Sequence, residues 1–498
     1  MNVNPITRLD YPDPDVIRVE DTYYMVSTTM HFMPGCEILQ SFDLVHWEHV
    51  TYVYETLDHT DAQQLKSGQN IYGQGMWAAS LRYHEGRFYI CFVANDTRKT
   101  YLYTSEKIDG PWKKQLIEGF YHDGSLLFDE DGRNYIVYGN DEIWITELNE
   151  DLTAPKKDGL HRLLVSDHKN PELGYEGSHI QKINGYYYIF LVHSLRDRWM
   201  RTEACFYSDS LEGEFTGGDV LCDDRGYCGQ GVAQGGIVDT PDGKWYAMLF
   251  QDSGAVGRIP ILLPVTWKDH FPVFGQNGHV PEEIEVHSTR PGYIYQPLVG
   301  SDDFCNGLLP RWQFNHDPDP RYYHLDALQG TYTITTREVC TELTQAVNTL
   351  TQRMSYPSCA AEVTVDASAL KEGDVAGLCA LQGCYAAVGI TKHHGKYEVL
   401  MLDKKEDGIL DMTEGTVVES HQMDFRLEAD FCNMKDEARC YYRVNKGDWL
   451  PIGNVHKLYF KLDHFTGCRF GLFCYAAEET GGSACFRDFK YYDVDEIS

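Results

Sequence analysis

NGYYYIFL, residues 184–191, sets a polar turn pair directly before tyrosines that lead into an apolar run. That pairing reads as a tight hairpin turn feeding a buried or half-buried strand. The same pattern occurs four more times, as EDTYYMVS (20–27), EGRFYICF (85–92), DGRNYIVY (131–138) and DGKWYAML (242–249). The aligned tyrosines are Tyr24, Tyr89, Tyr135, Tyr188 and Tyr246, separated by 65, 46, 53 and 58 residues. Repeats of this length are expected of propeller blades carrying inserted loops. A second echo, SFDLVHW (41–47), SEKIDGPW (105–112) and SDSLEGEF (208–215), marks a further strand and turn in three of the copies. Four short strands per copy and five copies predict an all-β fold that begins with a five-bladed β-propeller.

The repeat stops near residue 250, and HSTRPGYIYQPLVGSDDF (287–304) brings in the Pro and Gly of a linker. Beyond it, GTYTITTREV (330–339), AAEVTVDASA (360–369) and CRFGLFCYAA (468–477) alternate without any five-fold copy, and ACFRDFKYYDV (484–494) reads as a closing strand. This is the pattern of a β-sandwich, jelly-roll-like in its many short strands. The expected division is a propeller over 1–295, a linker over 296–302 and a sandwich over 303–498.

The formal net charge of −32 repels phosphate backbones and anionic lipid, which argues against nucleic-acid and membrane partners. The longest apolar stretch, IPILLPV (259–265), is far shorter than a bilayer span. MNVNPITRLD shows no basic segment followed by an apolar run, and the 15 cysteines are scattered with no CxxC pair. Reduced thiols and the lack of a visible signal lead to the expectation of a cytoplasmic protein. Oligomeric state is not legible.

A propeller gathers its innermost strands around one axis, so chemistry requires polar residues at corresponding ends of several of them. Asp13 in DYPDPDVIR (10–18), Asp123 in YHDGSLLF (121–128) and Glu176 in GYEGSHIQKINGYYY (174–188) precede their tyrosines by 11, 12 and 12 residues. In the other two blades the matching segments are GQGMWAAS (73–80) and AQGGIVD (233–239), with Gln74, Trp77 and Gln234 in place of acids. Singly, an Asp beside Pro or Gly is a turn residue; three acids at one repeat position point to a site. Hydrolysis of a glycosidic bond uses one protonated and one ionised carboxyl, and a third acid nearby helps to separate their pKa values. Pro12 fixes its own φ and Pro14 pushes Asp13 out of the helical region, so this carboxylate is held stiffly. Asp15, two residues on, is expected to be structural.

YPDPDVIR, HDGSLLF and YEGSHIQKINGYYY, in this order before their strands, resemble glycoside hydrolase family 43. WQFNHDPD (312–319) and NTLTQR (348–353) are similar to the sandwich of its β-xylosidase and α-L-arabinofuranosidase branch. The resemblance implies an inverting, exo-acting enzyme that frees terminal β-D-xylosyl or α-L-arabinofuranosyl units from plant cell-wall oligosaccharides. It assigns Asp13 as general base, Glu176 as general acid and Asp123 as the residue that tunes and orients the acid. For inversion, base and acid stand roughly 6.5–9.5 Å apart. Arg258 in GAVGRIP (254–260) matches a sugar-binding arginine, and Trp77 and Phe32, in HFMPG (31–35), match pocket-lining positions.

One departure concerns metal. Relatives tend to read QDHGAVGRIP where this chain has QDSGAVGRIP, and that histidine helps to hold a calcium ion on the propeller axis. With Ser253 in its place no cofactor is expected to be required. Two other readings stay open. A retaining fructosidase-like hydrolase would use an N-terminal Asp nucleophile, with RTEAC (201–205) echoing its acid motif. A non-catalytic carbohydrate-binding protein would keep the scaffold without turnover.

Overall fold

In every copy of the repeat the turn joins the first and second strands of a four-stranded antiparallel sheet. The computed structural model describes residues 2–493. Blade one comprises Asp15–Val19, Thr22–Val26, Gly35–Ser41 and Glu48–Tyr54. Blade two comprises Met76–His84, Arg87–Ala94, Lys99–Ser105 and Lys113–Ile117. Blade three follows with Ser125–Phe128, Asn134–Asn140, Glu142–Leu148 and His161–Ser166. Blade four is Glu176–Ile183, Tyr186–Ser194, Arg201–Ser208 and Thr216–Leu221. Blade five is Val232–Asp239, Trp245–Asp252, Arg258–Lys268 and Phe271–Phe274. The five aligned tyrosines all lie on second strands, and the second echo connects third strands to fourth.

Each blade is continuous in sequence, so no strand is shared to close the ring. Closure comes instead from Asn2–Val3 pairing with Glu283–Ile284. The Asn4 side chain completes it, donating to the Leu262 carbonyl at 2.7 Å and accepting from the Leu262 N–H at 3.0 Å. One apolar cluster fills each gap between neighbouring blades: Ile38 with Leu81, Leu102 with Ile136, Val137 with Ile189, Phe190 with Leu249, and Met25 with Met248. Because blades stack face to face, second strands are buried on both sides, which is why they read as continuous apolar runs. Each fully buried Leu, Ile or Val contributes roughly 1.5–3 kcal/mol.

The second domain packs a seven-stranded sheet against a nine-stranded one. The larger sheet does not stop at the domain boundary. Its edge strand is Phe32–Met33 of the propeller, paired with Gln313–Asn315. Ala255, Val256 and Ile259 of blade five belong to the sandwich core as well. The connecting segment is tied down along blade one: the Phe42 N–H donates to the Tyr295 hydroxyl at 2.9 Å, and the Thr289 N–H to the Phe42 carbonyl at 2.8 Å. Asp302 already accepts from Trp312 Nε1 of the sandwich at 2.8 Å. Among the described residues no helix is long and apolar enough to cross a membrane.

Candidate active site

Strand register places the acids more finely than counting along the chain. Tyr24 pairs with Ile17, Tyr135 with Leu127 and Tyr246 with Val238. Asp13, Asp123 and Gln234 each lie four residues before those partners. Tyr188 pairs with Gln181, so the matching residue of blade four is Gly177, and Glu176 sits one residue earlier. The three acids therefore do not share one repeat position, contrary to the expectation from spacing. The hairpin of blade three has a longer turn, 129–133, than the Asn184–Gly185 turn of blade four, and this hides a one-residue offset. The shared position has left-handed backbone: φ is +53° at Asp13, +47° at Asp123, +66° at Gly177 and +65° at Gln234. Asp13 thus leaves the right-handed helical region for the left-handed one, a conformation that costs energy in a non-glycine residue and is sustained by its surroundings. Ser27 Oγ donates to the Pro12 carbonyl at 2.6 Å, and Thr28 N–H to the same oxygen at 3.2 Å.

Asp13 is only 6 % exposed. Its Oδ2 accepts from the Thr28 hydroxyl at 2.5 Å, and Arg258 Nη1 lies 3.1 Å from Oδ1 and 3.4 Å from Oδ2. Arg258 is itself buried and stacks on the Phe465 ring, 4.2 Å from its centroid. Around Glu176, Asn140 Nδ2 donates to Oε2 at 2.7 Å and His122 Nε2 lies 3.3 Å from the same oxygen. His122 Nε2 is also 3.5 Å from Asp123 Oδ2, which accepts the Gly177 N–H at 3.0 Å. Burial pushes the Asp123 carboxyl up to about 6; the His122 charge opposes this, and the Glu176 and Asp13 carboxylates add to it. Burial works to lower the His122 imidazole, but the carboxylates of Asp123, Glu176 and Asp13 prevail and raise it to about 9. At neutral pH His122 is a cation set between two acids.

His122, Asn140 and Glu176 line a cavity of about 560 Å³; Asp13, Asp123 and Arg258 lie behind its wall, Arg258 against Phe465, which does line it. Trp77, His122, Asn140, Glu176 and Arg201 supply the propeller side, and Phe460, Leu462 and Phe465 form a wall from the sandwich. Trp77 lines it as expected, its ring 5.9 Å from His122 and 5.7 Å from Phe465. Phe32 does not line it. It is 1 % exposed and lies in the strand that joins the two domains, covered by the Arg469 guanidinium 3.4 Å from its ring centroid. Sequence reasoning missed His122, Asn140, Arg201 and the phenylalanines of the sandwich. His122 adjoins Asp123 and was open to inspection; the phenylalanines lie outside the repeat and carried no local signal.

Arg201 is held by Asp252 at 2.8 Å and lines the cavity, whereas Glu203 of the same RTEAC segment is fully buried. Burial raises the Glu203 carboxyl well above the ordinary range, and its Oε2 accepts the Gln234 N–H at 2.7 Å. It supports the bend of blade five, and its complete burial leaves it no access to a substrate, which removes the basis for the fructosidase-like reading. The innermost strands bring Asp15, His179, Ser125 and Arg82 together at the axis. Arg82 donates to Asp15 Oδ2 at 2.8 Å and to Ser125 Oγ at 2.7 Å, and His179 Nδ1 lies 3.0 Å from Asp15 Oδ1. Asp15 is structural, as its position implied. Ser253 Oγ donates to the Gln251 carbonyl at 3.3 Å. A guanidinium and an Asp–His pair do not make the oxygen cage that calcium requires. The ligand atoms of His122, Asp123 and Glu176 do lie within 4.8 Å of one another, the one such cluster among the described residues; a cation there would compete with the imidazolium for the same oxygens.

A profile of Glycosyl hydrolases family 43 matches residues 3–272, and one of the Beta xylosidase C-terminal Concanavalin A-like domain matches residues 301–492. The chain belongs to glycosyl hydrolase family 43. Membership makes it a glycoside hydrolase and accounts for both halves of the fold. A Beta-xylosidase of Formosa agariphila is 27 % identical over 555 residues, covering 99 % of this chain and 89 % of the relative. Among solved family 43 structures, a bifunctional GH43-CE protein of Bacteroides eggerthii superposes with a TM-score of 0.92 at 42 % identity. That match covers 99 % of this chain but only 64 % of the bifunctional protein. An engineered GH43 glycoside hydrolase, described as displaying both endo-xylanase and exo-arabinofuranosidase activity, superposes with a TM-score of 0.88 at 27 % identity, covering 99 % of each chain.

Proposed function

We propose that this family 43 enzyme is an inverting, exo-acting hydrolase of terminal β-D-xylosyl and/or α-L-arabinofuranosyl residues in plant cell-wall oligosaccharides. The observation that carries the reading is the set of contacts that links the Asp13–Arg258 pair, through the Phe465 ring stacked on Arg258, to a cavity lined by Glu176 and His122 and walled by the sandwich. A cavity walled by both domains receives a chain end more readily than the middle of a chain.

In this reading Asp13 is the general base. Its carboxylate, aimed by Thr28 and Arg258, takes a proton from the attacking water, with little freedom left to lose on reaction. Glu176 is the general acid and protonates the departing oxygen. Asn140 and His122 both engage its Oε2, which leaves Oε1 for the leaving group. Asp123 and His122 are positioning residues that hold that acid in place, His122 through Oε2 and Asp123 through the adjoining Gly177 N–H. Arg258 and Trp77 bind the terminal sugar. Every step is carried by side chains and water, with no metal required. All fifteen cysteines are unpaired, which supports a reducing compartment.

The test is hydrolysis of nitrophenyl β-xyloside and nitrophenyl α-L-arabinofuranoside side by side, with and without chelator, reading the first released anomer by proton NMR. Turnover with inversion, insensitive to chelator, is expected. A retained anomer would end the water-activating role of Asp13. Binding of oligosaccharide without any turnover would favour the non-catalytic alternative, and loss of activity on chelation would restore a metal.

A further inference from the structure

Three residues before Asp13, the buried carboxylate of Asp10 joins three parts of the molecule. Its Oδ1 accepts the Arg258 N–H at 2.8 Å, and its Oδ2 accepts the Gly467 N–H at 2.8 Å. The Asp10 carbonyl accepts from Arg353 Nε of the sandwich at 2.9 Å, and the Tyr11 N–H donates to the Arg258 carbonyl at 3.1 Å. An aspartate in a turn ordinarily caps N–H groups two or three residues away. These two donors lie 248 and 457 residues along the chain, on blade five and on the sandwich.

Each element that Asp10 holds also reaches Asp13 or the cavity wall. Arg258 projects its guanidinium onto Asp13. Gly467 ends the sandwich loop that carries Phe465, whose ring covers that guanidinium and whose carbonyl accepts from Arg258 Nη2 at 3.4 Å. Both neighbours must be glycine for the carboxylate to seat. A Cβ on Gly257 would lie 2.3 Å from Asp10 Oδ1; on Gly467 it would lie 2.2 Å from the Val256 carbonyl oxygen and 2.7 Å from Asp10 Cβ.

We propose that Asp10 is a positioning residue that couples docking of the sandwich loop to the placement of Asp13 and Arg258, so that the accessory domain is a working part of the catalytic site. This rests on the reading of Asp13 as the base. When Gly467 is seated, Asp10 fixes the backbone of Arg258 and, through the adjoining Tyr11–Pro12 segment, the carboxylate that Arg258 contacts. A displacement of about 1 Å at such a site costs on the order of 100-fold in rate.

The test uses the full chain with Asp10→Asn, Gly467→Ala and the double variant, measuring kcat, KM and thermal unfolding on the better nitrophenyl pentoside. With one accepting oxygen, Asn can receive only one of the Arg258 and Gly467 N–H groups and turns its NH2 to the other, and Ala displaces the loop from the other side, so both break the link from Gly467 through residue 10 to Arg258. Each single variant is expected to lose about 10- to 100-fold in kcat with KM changed less than about threefold. The double variant is expected to fall within about twofold of the worse single, since both remove the same coupling. Single variants with wild-type kcat, or losses that multiply in the double variant, overturn the proposal. If Asp10→Asn fails to fold, Gly467→Ala decides alone. If neither unfolds cooperatively at assay temperature, Asp10 is a folding contact only and the proposal fails. A wild-type enzyme inactive on both pentosides would instead remove the underlying reading of Asp13.

Discussion

Replacing His122 by Asn tests the electrostatics of the site directly. The imidazole is raised from its ordinary 6.5 to about 9 against the opposing effect of burial, because carboxylates of Asp123, Glu176 and Asp13 surround it. At 1.36 kcal/mol per pH unit, that rise is worth about 3 kcal/mol. The side chain is 19 % exposed, so solvent screening takes only a small part of it. The sign follows from linkage: a group whose folded pKa is raised contributes stability fully below its unfolded value, here 6.5, and loses it as pH climbs through 9. Urea unfolding of wild type and His122→Asn should therefore differ by about 3 kcal/mol at pH 6.5 and converge, apart from a packing remainder, by pH 10. A difference that stays constant from pH 6.5 to 10 would refute the picture of an imidazolium held between acids.

Further outcomes follow from the same contacts. Asp13→Asn and Glu176→Gln should each lower kcat by roughly 100- to 10,000-fold, and Asp13→Asn should also lower the unfolding midpoint because it leaves the buried Arg258 without its anionic partner; retention of more than a tenth of the activity would disqualify the residue concerned. Phe465→Ala removes the ring stacked on Arg258 and part of the cavity wall, and should raise KM on the order of tenfold with a smaller effect on stability; an unaltered KM would mean that the sandwich does not help to bind the sugar. Arg353→Met strands Glu37, whose carboxylate accepts from Arg353 Nη1 at 2.8 Å in a buried cross-domain pair. It should cost about 3–5 kcal/mol in chemical unfolding, with partial recovery on adding Glu37→Gln; a loss below 1 kcal/mol would show that the pair is not stabilising.

The repeat was legible because its signals are local. A turn pair and an apolar strand act within about ten residues, and five copies average out the ambiguity of any one. Asp13, Asp123, Glu176, Trp77 and Arg258 could be nominated in the same way, since they border repeat strands or stand in a recognisable segment; of the five, Glu176 and Trp77 line the cavity. Phe32 was misplaced because an apolar residue near a catalytic strand looks the same whether it faces sugar or a neighbouring domain. The offset of Glu176 was hidden because chain counting cannot see how many residues a hairpin turn consumes, and only the ladder does.

By itself the sequence determined the five blades, the following sandwich, the order of the three acids and a formal net charge of −32. The tertiary structure decided what surrounds those acids. It set His122 between Asp123 and Glu176, brought Phe465 over Arg258, buried Phe32 in a shared sheet and drew Asp10 to Gly467 across 457 residues. The physical reason is range: strand and turn preferences are set by near neighbours, whereas a site on a propeller axis is built from contacts between distant segments. Their pairing is fixed only when the blades close and the second domain docks.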